Sequence, residues 1–193
     1  MDTVISITGE NFGIVAINTS YISSIVITKE DLDKFIEIGK NKFLAVSGYP
    51  GDVGQFTDFV QKTVQLHSLK TGLPLSTHSV ANCIRKEISE CLRKNPFNIN
   101  MILIGYDNAI GSSLYSIDHL GTLQRMDYCV QGYASFFIFS FLDKQFKPKM
   151  NIEEAIETLL RCINILKNRF VVNQINFLVK IVDSKGCRNI GII

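Results

Sequence analysis

The chain has 193 residues, a net charge of +2, 46% hydrophobic residues and only 20% charged residues. That length suits one domain, because a single core serves chains up to about 250 residues. The apolar fraction without charge excess excludes intrinsic disorder, and the near-neutral balance excludes a dedicated nucleic-acid binder, which carries a basic surplus. No nucleic-acid partner is therefore expected.

The mean hydropathy of +0.17 is slightly high for a soluble protein. Two stretches lack charge, residues 11–28 and 128–142. A spanning helix needs about 20 mostly apolar residues. The first stretch alternates and carries Asn11, Asn18, Thr19, Ser20, Ser23, Ser24 and Thr28, so it reads as strands. The second is too short and holds Gln131, Ser135 and Ser140. No membrane span is expected. Asp2, Glu10 and the lack of a basic run argue against a secretory signal.

In chain order, strands are predicted at 4–8, 13–18, 24–28, 34–38 and 43–47, with turns at Gly9-Glu10-Asn11 and Gly39-Lys40-Asn41. These five short strands are expected to build one antiparallel sheet. Asp52 is a candidate cap for a first helix, whose apolar face is Val53, Phe56, Val60 and Val64 and whose end is marked by Gly72 and Pro74. Ser76 is a candidate cap for a second, with Val80, Ile84, Ile88, Cys91 and Leu92 as its stripe, stopped at Asn95-Pro96.

Residues 99–106 are nearly all apolar, which predicts a central strand buried on both faces. Strands at 113–118 and 122–127 follow around a Gly121 turn. Helical patterns then run over 133–142 and 152–170, the latter opened by an Asn151/Glu154 capping box. Strands at 176–183 and 188–192, joined through Ser184-Lys185-Gly186, close the chain. Strands, two helices, strands, two helices, strands: this order predicts an α+β domain over residues 1–193. Two antiparallel sheets face to face, with a helix pair outside each, would bury every apolar face.

Five cysteines (Cys83, Cys91, Cys129, Cys162 and Cys187) form no Cys-x-x-Cys pair, so free thiols are expected. His67, His78 and His119 are far apart, so no metal site and no cofactor is expected. There is no P-loop, no Gly-x-Gly-x-x-Gly and no nucleophile-elbow motif.

An ordered series of local motifs goes further. It runs from Gly51-Asp52, Gln55-Phe56, Gln61-Lys62 and Val64-Gln65-Leu66 through Leu75-Ser76 and Ala81-Asn82. Gly105-Tyr106-Asp107, Leu114-Tyr115, Ile117-Asp118 and Gly121 follow, then Gly132-Tyr133 and Leu142-Asp143. Glu153-Glu154-Ala155, Leu159-Leu160, Arg169-Phe170 and Asn173 complete it. Each motif alone is explained by turn and strand chemistry. Together they resemble the β-type subunits of the 20S proteasome, within the N-terminal-nucleophile hydrolases, and most of all the subtype that fills the fourth β position.

The resemblance implies a four-layer αββα sandwich. In catalytic members it implies a threonine at the start of the mature chain, whose hydroxyl attacks while its own amine acts as base. An Asp and a Lys on early strands and a later Ser and Asp complete that site. Here the nucleophile position falls on Asp2, the Asp on Asn18 and the later Ser near Gln131; only Lys34 matches. Residues 169–173 supply neither Asp nor Ser, and no pro-segment ending in Gly is expected.

The resemblance therefore implies a non-catalytic structural subunit of the core particle. It would contact other β subunits of its own and the opposite ring and subunits of the α ring, with the regulatory particle reached indirectly. The contact surfaces expected from it are residues 53–69, 133–144 and 152–170. The run Phe136-Phe137-Ile138-Phe139 with Phe141 cannot all face inward from one helix, which places part of it at an interface. Cytoplasm and nucleus are the expected locations. The alternative is an active threonine endopeptidase using Thr3 after loss of Met1-Asp2, and a third reading is a stand-alone binding module of the same fold.

Overall fold

The computed structural model describes residues 2–23, 26–171, 174 and 176–193. Strands β1 (Val4–Thr8), β2 (Phe12–Asn18), β10 (Tyr128–Gln131), β11 (Phe177–Asp183) and β12 (Gly186–Ile192) form one antiparallel sheet in the order β10-β1-β2-β11-β12. Strands β5 (Phe35–Gly39), β6 (Lys42–Gly48), β7 (Ile99–Asp107), β8 (Gly111–Ile117) and β9 (Leu123–Met126) form the second, in chain order. β3 (Tyr21–Ser23) and β4 (Val26–Lys29) make a separate ribbon. Helices α1 (Pro50–Thr71) and α2 (Thr77–Cys91) cover the second sheet, and α3 (Ser135–Gln145) and α4 (Ile152–Arg169) cover the first.

This is the α+β four-layer αββα sandwich. Strand residues point alternately to opposite faces, and in the inner strands β2 and β7 both faces are buried. In β2, Val15 and Ile17 meet the opposing sheet, while Ile14 and Ala16 meet the α3/α4 layer. In β7, Ile102 and Ile104 face the other sheet, while Met101 and Leu103 face α1 and α2. The predicted central strand at 99–106 is indeed the middle strand of its sheet, with β6 and β8 on either side. Each fully buried side chain of this kind contributes about 1.5–3 kcal/mol relative to exposure.

Three expectations are corrected. The first five strands do not form one sheet: β1 and β2 belong to one layer, β5 and β6 to the other. Local pattern reveals a strand but not its sheet, because both layers demand apolar faces. The strand predicted over 24–28 falls partly outside the described residues; Val26–Lys29 pairs with Tyr21–Ser23 in the exposed ribbon. Strand β10 was not anticipated. It follows β9 after Asp127 alone, yet pairs with β1 in the other sheet.

The helix boundaries have the expected chemistry, with one change. Ser76 Oγ accepts from Ser79 N at 3.1 Å, and Asn151 N donates to Glu154 Oε2 at 3.0 Å in the capping box. Gly72 closes α1 in the left-handed region at φ 70°. Asp52, however, lies in the first turn of α1 rather than at its cap, which is Tyr49; its Oδ2 accepts from Asn98 N at 2.9 Å. Among the described residues, no helix is long and apolar enough to cross a membrane.

Candidate functional site

Of the residues singled out from sequence, Asp2, Thr3, Asn18 and Lys34 meet at one end of the sandwich, where the start of β1, the end of β2 and the approach to β5 converge. Pairing of β1 with β2 sets Val4 opposite Ile17. Asn18 therefore lies beside Thr3 and takes both of its backbone groups: Thr3 N donates to Asn18 Oδ1 at 3.0 Å, and Asn18 N donates to Thr3 O at 3.1 Å. Lys34 approaches from the other sheet, one residue before β5. Its Nζ donates to Asp2 Oδ1 at 2.7 Å, to the Ser20 carbonyl at 2.8 Å and to Asn18 Oδ1 at 3.3 Å. Three acceptors match the three N–H donors of an ammonium.

The Lys34 side chain is buried to 7% exposure and that of Asp2 to 17%. Burial lowers the pKa of Lys34, because taking an ammonium from water disfavours its charged form; the neighbouring Asp2 carboxylate opposes that shift. The pair is balanced in charge and satisfied in hydrogen bonds.

Gln131 does not join this cluster by any hydrogen bond. It lies opposite Val4 in the β1–β10 pairing, but its Nε2 crosses to the second sheet and donates to the Met101 carbonyl at 3.0 Å and to Ser116 Oγ at 3.4 Å. Arg169 is the last residue of α4; Val172 and Asn173 lie outside the described residues. Two participants escaped sequence reading. The Ser20 carbonyl carries no sequence signal, since every residue has one. Gly132 was noted only as a turn glycine, yet a Cβ there would lie 2.0 Å from the Asp2 carbonyl oxygen.

The chemistry follows from these atoms. Asp2 presents a carboxylate, not a hydroxyl, and that carboxylate is engaged by Lys34. Thr3 is 1% exposed, and within the Asp2–Thr3 peptide bond its nitrogen is an amide donor without a lone pair for proton abstraction. Among the described residues, no group of three or more His, Cys, Asp or Glu side chains could hold a metal ion.

The family described as proteasome subunit matches residues 1–182 of the chain. Proteasome subunit beta type-2 of Oryza sativa subsp. japonica is 42% identical, over 97% of this chain and 89% of its own length. Proteasome subunit beta type-2-B of Arabidopsis thaliana is also 42% identical, over 99% and 96%. Proteasome subunit beta type-4 of Saccharomyces cerevisiae is 31% identical, over 98% and 97%. The chain belongs to the proteasome subunit family, with β-type subunits as its relatives.

Proposed function

We propose that this chain is a non-catalytic β subunit of the 20S core particle, building the β ring and the proteolytic chamber while other subunits cut substrate. The observation that carries this reading is the Asp2–Lys34 contact at 2.7 Å. A carboxylate stands at the position that the family resemblance assigns to the nucleophile, and it neutralises the lysine that would otherwise serve one. Asn18, in place of the family Asp, spends its oxygen on Thr3 N and Lys34.

The partners proposed are β subunits of the same and opposite rings and subunits of the α ring, with the regulatory particle reached through them. Cytoplasm and nucleus are the proposed locations. Surface chemistry supports burial against partners. Phe136 is 80% exposed, and with Phe137, Phe141 and Ile165 it lines a groove of about 610 Å³ between α3 and α4. On α1, Leu66 and Leu69 face outward, and Leu73 is exposed just beyond its end. Apolar surface of this kind marks protein contacts.

The test is the mass of the chain in the purified particle, before and after incubation with a peptide epoxyketone that requires a free N-terminal threonine. A chain that retains Asp2 and takes up no probe is the expected result. A chain beginning at Thr3 and carrying the probe would instead establish the threonine endopeptidase reading, for which the favouring geometry is that Thr3 N and Lys34 Nζ both donate to Asn18 Oδ1.

A further inference from the structure

Asp33 and Lys34 are consecutive residues of opposite charge, and each makes an ion pair with the first sheet from the segment leading into the second. Lys34 reaches Asp2, just ahead of β1, at 2.7 Å. Asp33 Oδ2 accepts from Lys180 Nζ of β11 at 2.8 Å. Lys180 lies on the same strand face as Leu178 and Val182, both packed between the sheets. Its side chain is 12% exposed, and its Nζ lies 5.0 Å from the centre of the Phe35 ring. The Lys180 stem is thus covered between the sheets, and its ammonium emerges at the rim of that layer, where it meets Asp33, whose side chain is 52% exposed.

The second oxygen of Asp33 is also committed. Asp33 Oδ1 accepts from Phe35 N at 2.9 Å, closing a local turn around Lys34. The same carboxylate thus shapes the backbone that carries Lys34 and ties it to β11. Val46 N adds a bond to the Lys34 carbonyl at 3.3 Å, joining the segment to β6.

We propose that the Asp33–Lys180 pair is a positioning contact for the Lys34 amine, so that residues 33 and 34 act as one two-pin clamp across the sheets. Among the described residues, Lys180 makes no hydrogen bond or ion pair with Asp2 or Thr3; it acts through Asp33 and the turn. The clamp sets where the segment of Asp2 and Thr3 sits relative to both layers. It acts in the same way whether or not the subunit is catalytic, so its failure would leave the assembly reading untouched.

Native-state hydrogen exchange of the full chain tests the clamp, read at the Thr3 amide that donates to Asn18 and at the Leu103 amide in the middle of the second sheet. Lys180→Met keeps an apolar stem over Phe35 and removes the charge. Asp33→Asn removes the charge from the other side and lies in neither sheet. Each is expected to speed exchange at Thr3 at least about tenfold while Leu103 stays within about twofold, as local loosening requires. The double variant is expected to be no faster than either single, because the two residues share one interaction. Lys180→Arg restores the wild-type rate. An unchanged Thr3 rate in both singles, or a rise at Thr3 matched at Leu103, would overturn the proposal.

Discussion

Gly132 leaves the space that the Asp2 carbonyl occupies. Its φ of +85° is a conformation that side chains rarely adopt, and a Cβ built on it falls 2.0 Å from Asp2 O and 3.1 Å from the Asp2 carbonyl carbon. The atoms in the way are backbone, not the end of a flexible chain. Gly132→Ala is therefore expected to cost at least about 2 kcal/mol, combining left-handed strain with a main-chain clash. Urea unfolding measures it, and an equally stable variant would show that the turn can shift away from Asp2.

The Asp2–Lys34 pair predicts a second loss. Asp2→Asn keeps the shape but leaves a buried ammonium with weaker acceptors. Because the Asp2 carboxylate retains some contact with water, the expected cost is about 1–3 kcal/mol, below that of breaking a fully buried pair. Urea midpoints of the two proteins, at constant slope, check this.

Lys34 also predicts a pH dependence. Its folded pKa lies below the free value of 10.5, chiefly through burial. Between the folded and free values the unfolded chain binds more protons, so stability rises with pH across that window. Relative to Lys34→Met, which does not titrate, the wild type gains stability as pH climbs toward 10.5. Asp2→Asn removes the influence that holds the Lys34 pKa up, so the window widens downward. Denaturation at a series of alkaline pH values reads both effects, and parallel curves for wild type and Lys34→Met would refute the shift.

At the start of α2, Asp107 Oδ2 accepts from Thr77 N at 2.8 Å and Oδ1 pairs with Lys42 Nζ at 2.9 Å. Burial works to raise its pKa, but the Thr77 hydrogen bond and Lys42 outweigh that and hold it below 3.8. The stabilisation is present above the unfolded value and is lost as pH falls through the folded one. Asp107→Asn is expected to cost about 1–2 kcal/mol at neutral pH. It should also flatten the acid limb of the stability curve, which acid titration of unfolding follows.

Burial pushes the Cys162 thiol up to about 12 and the Cys187 thiol up to about 11. Thiolate is the reactive form, so both are expected to resist iodoacetamide at neutral pH until the chain unfolds. Peptide mapping with and without denaturant checks this; modification of Cys162 in the folded protein would show that the α4 core opens.

The αββα layering was legible because each layer imposes a period. The 99–106 run, apolar at nearly every step with Asn100 as the polar exception, predicted a strand covered on both faces, and β7 is that strand. The stripe of Ile152, Ile156, Leu159, Ile163 and Leu166 predicted α4; Leu159, Ile163 and Leu166 are buried, whereas Ile152, the first residue of the helix, is exposed. Its Asn151/Glu154 box was readable from spacing alone. Strand β10 was not legible: four residues, Tyr128 to Gln131, lie between a hairpin strand and a helix, and only pairing with β1 makes them a strand. At the candidate site, the structure brings together Asp2, Asn18, Thr3 and Lys34, which the sequence offered only as separate positions of a family pattern, whereas Gln131 turns across to Met101 and Ser116. Side-chain direction at a strand end depends on which sheet offers an acceptor, and no local pattern encodes that.

By itself, the sequence determined the α+β class, most element boundaries and the family resemblance, because periodicity, capping residues and turn glycines act over a few residues. The resemblance also puts a carboxylate, that of Asp2, where catalytic members of the family carry their nucleophile. Only the tertiary structure decided how the early strands divide between the two sheets, and that Lys34 spends its charge on Asp2, Asn18 and the Ser20 carbonyl. It alone joined Asp33 to Lys180, 147 residues along the chain. The physical reason is distance: a buried cation takes the acceptors that packing brings within hydrogen-bond reach, and packing follows from the whole fold rather than from any segment of it.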